Sequence, residues 1–259
     1  MLAHGLLGFS KLHLASLPIH YWYGIQEALT AQGASVITAT VPPSSSIADR
    51  AARLSAEIAS QIEPGSSVNV VAHSMGGLDA RYMIRHCAPP GVDVKSLVTV
   101  ATPHRGSSFA DYVLDEDGLV PLPRLYGMME KVGLGTEAFA QLTQGYMVNE
   151  FNPSTMDDPA VRYFSYGACI NGPLPLLSPF RLPRRVISEK EGPNDGLVSV
   201  ESSRWGEYKG TLVGVSHLDL INWSNRLRWT VRGWMGMKRR FNAVAFYLDI
   251  ADMLAKEGL

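Results

Sequence analysis

The run Val68-Asn69-Val70-Val71-Ala72-His73-Ser74-Met75-Gly76-Gly77 constrains this chain more than any other stretch. An apolar, β-branched segment reaches Ser74 and passes at once into residues that open a helix, so strand and helix close on each other across a single serine. Such a turn leaves little room for side chains two positions either side of its centre. Ala72 and Gly76 meet that demand, although Ala72 stands where the pattern G-x-S-x-G has glycine. The turn lifts the serine oxygen clear of the sheet and aims the free N–H groups of the helix start at developing negative charge. A small-residue turn with an ordinary N-cap serine is the plainer alternative; the apolar strand ahead of it favours a nucleophile.

The rest of the chain reads as the frame such a turn needs. Short β-branched runs at 35–41, 68–72, 97–101, 161–168 and 211–215 alternate with helical patterns, which predicts crossovers and a mainly parallel, doubly wound α/β sheet. The only place for an earlier strand is 1–3, giving about six strands in the order 2-1-3-4-5-6. Helices are expected at 21–32, closed by Gly33; at 47–62, where Ser46 and Asp49 form a capping box and Ile47, Ala51, Leu54, Ile58 and Ile62 share a face; and at 241–255. From about 107 to 160 the rhythm is lost, which predicts an insertion over the site. Within it Leu122, Leu125, Met129 and Val132 recur at helical spacing. With 46% hydrophobic and 18% charged residues, the 259-residue chain is expected to fold as one domain. A net charge of -1 argues against nucleic acid as a partner. Cys87 and Cys169 read as buried free thiols. Residues 1–5 carry no leader pattern, so the protein works where it is made or a leader has been trimmed, and no window is long and apolar enough for a membrane span.

Chain order narrows the remaining catalytic groups, because serine, acid and histidine follow one another in this type of sheet. Beyond Ser74 lie His86, in the following helix, His104, just past the next strand, and His217, after the last strand. His217 is the expected base. Asp195, in Asn194-Asp195-Gly196-Leu197-Val198, is the expected acid, with Glu189, Glu191, Glu201 and Glu207 as competitors in the same interval. A tetrahedral intermediate needs two donors, of which the Met75 N–H is one. The turn His4-Gly5-Leu6-Leu7-Gly8 follows the first strand at the switch point beside Ser74, so the Leu6 N–H is the expected second.

With HGLLGF, AHSMGG, ATPHRGS, NDGLV and SHLDLIN in this order over nearly its whole length, the chain resembles the lipases of the α/β-hydrolase superfamily. It is similar to fungal triacylglycerol lipases of the mitochondrial type and, more distantly, to the secreted Pseudomonas and Burkholderia group. The resemblance implies a carboxylic ester hydrolase acting on acylglycerols, Ser74, Asp195 and His217 as its triad, Leu6 and Met75 as oxyanion donors, and the insertion as a lid. It also suggests an intracellular location, with the mitochondrion among the candidates. Two departures stand out: only three residues precede HGLLGF, and the calcium pair of the bacterial relatives is incomplete. Asp219 matches one calcium-binding Asp, but 167–193 contains no Asp. No cofactor is therefore expected, structural calcium included, and Asp219 is read as a local hydrogen-bond or salt-bridge partner.

The surface offers lipid-directed features, each with a plainer alternative. The insertion can swing open at an oil or membrane surface or remain a fixed cap. The stretch 223–240 interleaves Trp223, Trp229 and Trp234 with Arg226, Arg228, Arg232, Lys238, Arg239 and Arg240, a pattern for peripheral contact with anionic lipid or for indoles packed on the body. A short-chain carboxylesterase, an acyltransferase and a silent lipid-binding relative stand as alternatives to the lipase. Oligomeric state is left open.

Overall fold

The computed structural model describes all residues except 6–11, 15, 16, 20, 43, 44, 115–135, 175–177, 179 and 223–240. Among the described residues, five strands form one sheet: β1 (Leu2–Ala3), β2 (Ser67–His73), β3 (Asp93–Val100), β4 (Arg162–Cys169) and β5 (Glu207–Val213). They lie side by side in that order, all parallel. A small antiparallel hairpin pairs Leu12–Leu14 with Leu17–Ile19.

The expected sixth strand, at 35–41, is a correction. That segment makes a single parallel bridge, Leu2 to Thr38, with Leu2 N–H donating to the Ile37 carbonyl at 2.7 Å and Ala39 N–H to the Leu2 carbonyl at 3.0 Å. A two-residue neighbour offers too few backbone groups for a longer ladder. The segment nonetheless lies beyond β1, so the order of the sheet is the expected one.

Alternation along the strands loads both faces. Val98 and Val100 of β3 point into a core with Phe164 and Ala168 of β4, under helices α1 (Ile25–Ala31) and, at the end of the chain, Ala243–Lys256. Leu97 of β3 points the other way, joining Val68, Val70 and Ala72 of β2 beneath α2 (Ile47–Gln61) and α3 (Gly76–His86). At seven residues α1 is too short to hold itself together. Burial of Ile25 and Leu29 supplies the difference, at about 1.5–3 kcal/mol per side chain.

Local chemistry sets the helix ends. α1 starts at Ile25 rather than at residue 21 because Gly24 takes φ +75°, and residues 21–24 form a turn that buries Tyr21 and Trp22. Ser46 caps α2 by accepting the Asp49 N–H at 3.2 Å. The capping box is half made, since the Asp49 carboxylate takes the Ser46 hydroxyl, at 2.8 Å, in place of the backbone N–H. Cys87 and Cys169 are free, as expected, but half-buried rather than buried.

Of the insertion, α4 (Ser108–Leu114) and a succession of short helical turns from Thr136 to Ser154 are described, including a π-turn at Met147–Phe151. The expected apolar stripe at Leu122, Leu125, Met129 and Val132 lies outside the described residues. Ala138, Met147 and Phe151 pack on Ile47, Met75 and Leu78, so the returning end of the insertion sits on the helix that follows Ser74.

Candidate active site

Ser74 stands between β2 and α3, at the end of a parallel sheet where loops collect. Its φ of +57° is in the left-handed region, which a residue with a Cβ occupies at a cost of about 1–3 kcal/mol. Its backbone is held on both sides: the N–H donates to Val100 at 3.0 Å, and the carbonyl accepts from the Thr102 hydroxyl at 2.7 Å and from the Gly77 N–H at 3.0 Å. Ser74 is half-buried, between neighbours that are fully buried.

The small residues around it are required by contact. A Cβ on Gly76 would fall 2.7 Å from the His4 carbonyl oxygen and 2.9 Å from that of Ala3, so α3 starts against the backbone of β1. One on Gly77 would overlap the Thr102 side chain. One on Gly5 would lie 2.6 Å from the Ser74 Cβ. The Met75 N–H, in the first turn of α3, belongs to the set of helix donors that have no intrahelical acceptor. Leu6 lies outside the described residues.

Asp195 and His217 meet on the other side. The Asp195 Oδ2 and His217 Nδ1 are 2.7 Å apart, and both side chains are buried. The other carboxylate oxygen, Oδ1, accepts the N–H groups of Leu197 at 3.0 Å and Val198 at 2.8 Å. The His217 N–H donates to the Asp195 carbonyl at 3.0 Å, so the loops after β4 and β5 are joined through both side chain and backbone. Asn194 secures the turn from behind, its amide donating to the carbonyls of Arg184 and Gly192 and to the Ser188 hydroxyl. The His217 ring packs on that of His73, the residue before Ser74, with centroids 4.5 Å apart.

The competitors are occupied elsewhere. His86 is on α3, facing Thr155. His104 is buried, with Nε2 at 3.0 Å from the Thr99 hydroxyl and its ring stacked on Trp205. Burial and the nearby Arg81 hold it well below the ordinary histidine pKa. Glu191 accepts from Ser108 and Ser199, while Glu189, Glu201 and Glu207 pair with Arg185, Arg204 and Lys209. Asp219 accepts from the backbone and hydroxyl of Ser216, the local role expected for it. Among the described residues no group of three or more His, Cys, Asp or Glu is arranged to hold a metal ion.

Several residues of the site were not apparent in the sequence. Arg50, fully buried, donates to Asp79 Oδ2 from Nε at 2.9 Å and from Nη2 at 2.7 Å, and also to the carbonyls of Pro42 and His4. Burial outweighs this pairing and pushes the Asp79 carboxyl up to about 6. Arg50 had a signal: it lies three residues after Ile47 and four before Leu54, on the face of α2 that the apolar pattern buries. Arg81, on α3, lies under Trp205, its guanidinium carbon 3.6 Å from the ring centroid, and donates to Asn152 and to the Thr155 carbonyl. It ties the insertion's returning end to the helix after Ser74. Tyr21 and His73, hydrogen-bonded at 2.7 Å, are the third such feature.

A parallel sheet wound on both faces, with Ser74 in a strained strand-to-helix turn and an aspartate–histidine pair carried by later strand ends, defines an α/β-hydrolase. Residues 27–118 match the family described as a PGAP1-like alpha/beta domain. The chain is 40% identical over 256 residues to Triacylglycerol lipase 2 of Saccharomyces cerevisiae, covering 93% of this chain and 75% of the yeast protein. It is 29% identical to Triacylglycerol lipase of Pseudomonas fragi, covering 100% of this chain and 96% of that one. The crystal structure of Staphylococcus hyicus lipase shares its fold, with a TM-score of 0.72 at 19% identity over 98% of this chain and 94% of that one. The chain belongs to the triacylglycerol lipase family.

Proposed function

We propose that this protein is a serine hydrolase of lipid carboxylic esters, acylglycerols above all, working through a Ser74 acyl-enzyme. The observation that carries the reading is the Asp195–His217 hydrogen bond of 2.7 Å, set against His73 and therefore beside a serine held at φ +57°. Asp195 accepts from Nδ1–H, which leaves the other ring nitrogen, Nε2, free to take a proton. His217 takes that proton from Ser74 as Oγ bonds to the ester carbonyl carbon. The resulting oxyanion is met by the N–H groups of Met75 and Leu6. Collapse breaks the bond to the alcohol oxygen, which leaves with the proton from His217. Water repeats the sequence on the acyl-enzyme, releasing the fatty acid and restoring Ser74.

In this reading the chain is one domain, with 107–160 as a lid whose closing end rests on Met75 and Leu78 through Ala138, Met147 and Phe151. The chemistry calls for no cofactor and no calcium. The basic, tryptophan-bearing segment 223–240, outside the described residues, is assigned to a lipid surface. The proposed setting is intracellular, as the sequence resemblance implies.

The test is a serine-directed phosphonate, with the adduct mapped by mass spectrometry, together with turnover on esters of increasing chain length up to emulsified triacylglycerol. Label on Ser74, and a loss of turnover on the order of 10⁴-fold or more in Ser74→Ala, are the expected results. Folded protein that takes no label at Ser74 overturns the mechanism. Activity confined to soluble short-chain esters removes the lipase and leaves an esterase.

A further inference from the structure

The mechanism above makes no use of Tyr21 or His73, yet both are buried polar side chains at its centre. The Tyr21 hydroxyl accepts the Gly5 N–H at 3.0 Å and lies 2.7 Å from His73 Nδ1. The Gly5 amide can only donate, so the phenol oxygen accepts there; among the described residues His73 Nδ1 is the one acceptor in reach of the phenol proton, which therefore points to His73. That assigns His73 the tautomer with Nδ1 as acceptor and the proton on Nε2, a buried atom with no hydrogen-bond partner among the described residues. Donation to the imidazole also polarises the phenol, making it a better acceptor for Gly5. A buried hydroxyl without partners is costly, whereas this one is satisfied in both roles.

What this string of bonds holds is the backbone nearest the nucleophile. The ladder between β1 and β2 ends at Ala3 with Ala72, so His4 and Gly5 are beyond its last pair. Side chains take over there: Arg50 Nη2 donates to the His4 carbonyl at 3.0 Å, and the His4 ring, accepting the Val41 N–H at Nε2, donates from Nδ1 to the Gly5 carbonyl at 3.1 Å. The Gly5 N–H has Tyr21. Gly5 itself is so close to Ser74 that an added Cβ would lie 3.1 Å from Oγ. His73 directly precedes Ser74 and packs against the His217 ring. A hydrogen-bonded string therefore joins the loop ahead of Leu6 to the nucleophile's neighbour, whose ring packs on that of the base.

Resting on the Ser74 reading above, we infer that Tyr21 and His73 are positioning residues, which hold the Gly5 backbone against Ser74 Oγ before the substrate arrives. The arrangement needs His73 neutral. Burial, then the neighbouring His217, holds its pKa well below the usual value, so Nδ1 keeps its lone pair and no second positive charge opposes the His217 imidazolium.

The experiment compares Tyr21→Phe, His73→Leu and His73→Asn with the full-length wild type on a soluble ester, reading kcat and KM separately alongside a thermal melt. Losing a whole oxyanion donor costs on the order of a hundredfold or more; loosening the backbone beside Ser74 is expected to lower kcat about tenfold with KM within about twofold. Tyr21→Phe and His73→Leu should both show this drop. His73→Asn, whose Oδ1 can stand in for Nδ1, should recover most of it. Wild-type kcat in either of the first two variants overturns the inference, as does an equal loss in His73→Asn and His73→Leu. A rise in KM alone also overturns it, since that marks ordinary substrate binding. If Tyr21→Phe does not fold, the His73 pair decides. Turnover surviving Ser74→Ala defeats the underlying mechanism. A dead Ser74→Ala beside a Tyr21→Phe of undiminished kcat defeats only the positioning role.

Discussion

The two halves of the site are held in place by different forces. Around Ser74 the determinant is volume: Gly5, Gly76 and Gly77 each lie where a single added carbon would collide with the nucleophile, with the backbone of β1 or with Thr102. Around Asp195 the determinant is polar saturation. Both carboxylate oxygens are occupied, the backbones of Asp195 and His217 are joined, and the Asn194 amide reaches three acceptors. The nucleophile half should therefore lose stability when something is added, beyond the turnover it loses with the Tyr21–His73 bond, and the acid–base half should lose turnover when one hydrogen bond changes sense.

The largest effect is expected from Asp195→Asn. The amide oxygen can keep the bonds from Leu197 and Val198, which turns the NH2 toward His217 Nδ1. Nδ1 must then accept, the ring proton moves to Nε2, and the base can no longer take the serine proton. With no volume changed, kcat should fall about 10⁴-fold while the melting temperature stays within a few degrees. An Asp195→Asn protein that unfolds instead would show that the saturation is structural first, and would break the contrast.

The added-carbon prediction concerns Gly76 and Gly77, read by chemical denaturation. Gly76→Ala meets the backbone carbonyl oxygens of His4 and Ala3, which cannot withdraw, and should lose about 3 kcal/mol. Gly77→Ala meets a side chain and should lose about 2 kcal/mol. Adding Thr102→Ala to the latter should show a favourable coupling of about 1 kcal/mol, because the overlap disappears with the threonine. Additive losses would mean that Gly77 is required for some other reason than room.

This difference also explains what could be read in advance. Small residues flanking a serine and a strand-to-helix pattern are local, so the Ser74 turn and all five strands of the sheet were legible, as was the order that brings Asp195 to His217. The strand expected at 35–41 did not form, because its β-branched pattern is real but its neighbour offers only Leu2 and Ala3 to pair with. What was not legible in the sequence is of another kind: the bonds of Tyr21 to His73, Arg50 to Asp79 and Arg81 to the turn at 152–155, whose partners lie 29 to 74 residues away along the chain. Periodicity records which face a residue takes, not which polar group it meets there. Arg50 on an apolar face announced a buried charge without naming its acid.

The smallest effect at neutral pH belongs to the histidines, and it sharpens the contrast through charge. The nucleophile half contains His4 and His73, both buried and neutral, with His104 beyond the next strand; the other half contains a histidine bonded to a carboxylate. Burial lowers His4 from 6.5 to about 4. A pKa lower in the folded than in the unfolded chain means that unfolding takes up a proton between those values. Stability is then complete above about 6.5 and is lost as pH falls toward 4, with His73 and His104 acting in the same direction. Asp79, raised from 3.8 to about 6, opposes them, since its folded state binds the proton more readily over that range. Asp111, raised by burial, sides with Asp79, and Glu257, lowered by its bond to Arg162, sides with the three histidines, which leaves a net loss on acidification. Thermal melts between pH 7 and pH 5 should therefore show a falling melting temperature. In His4→Asn, whatever its stability at pH 7, the drop over that interval should be smaller by about 2 kcal/mol. An unchanged slope in His4→Asn would mean that His4 takes up its proton as readily in the folded protein as in the unfolded chain, and that the nucleophile half tolerates charge as readily as the acid–base half.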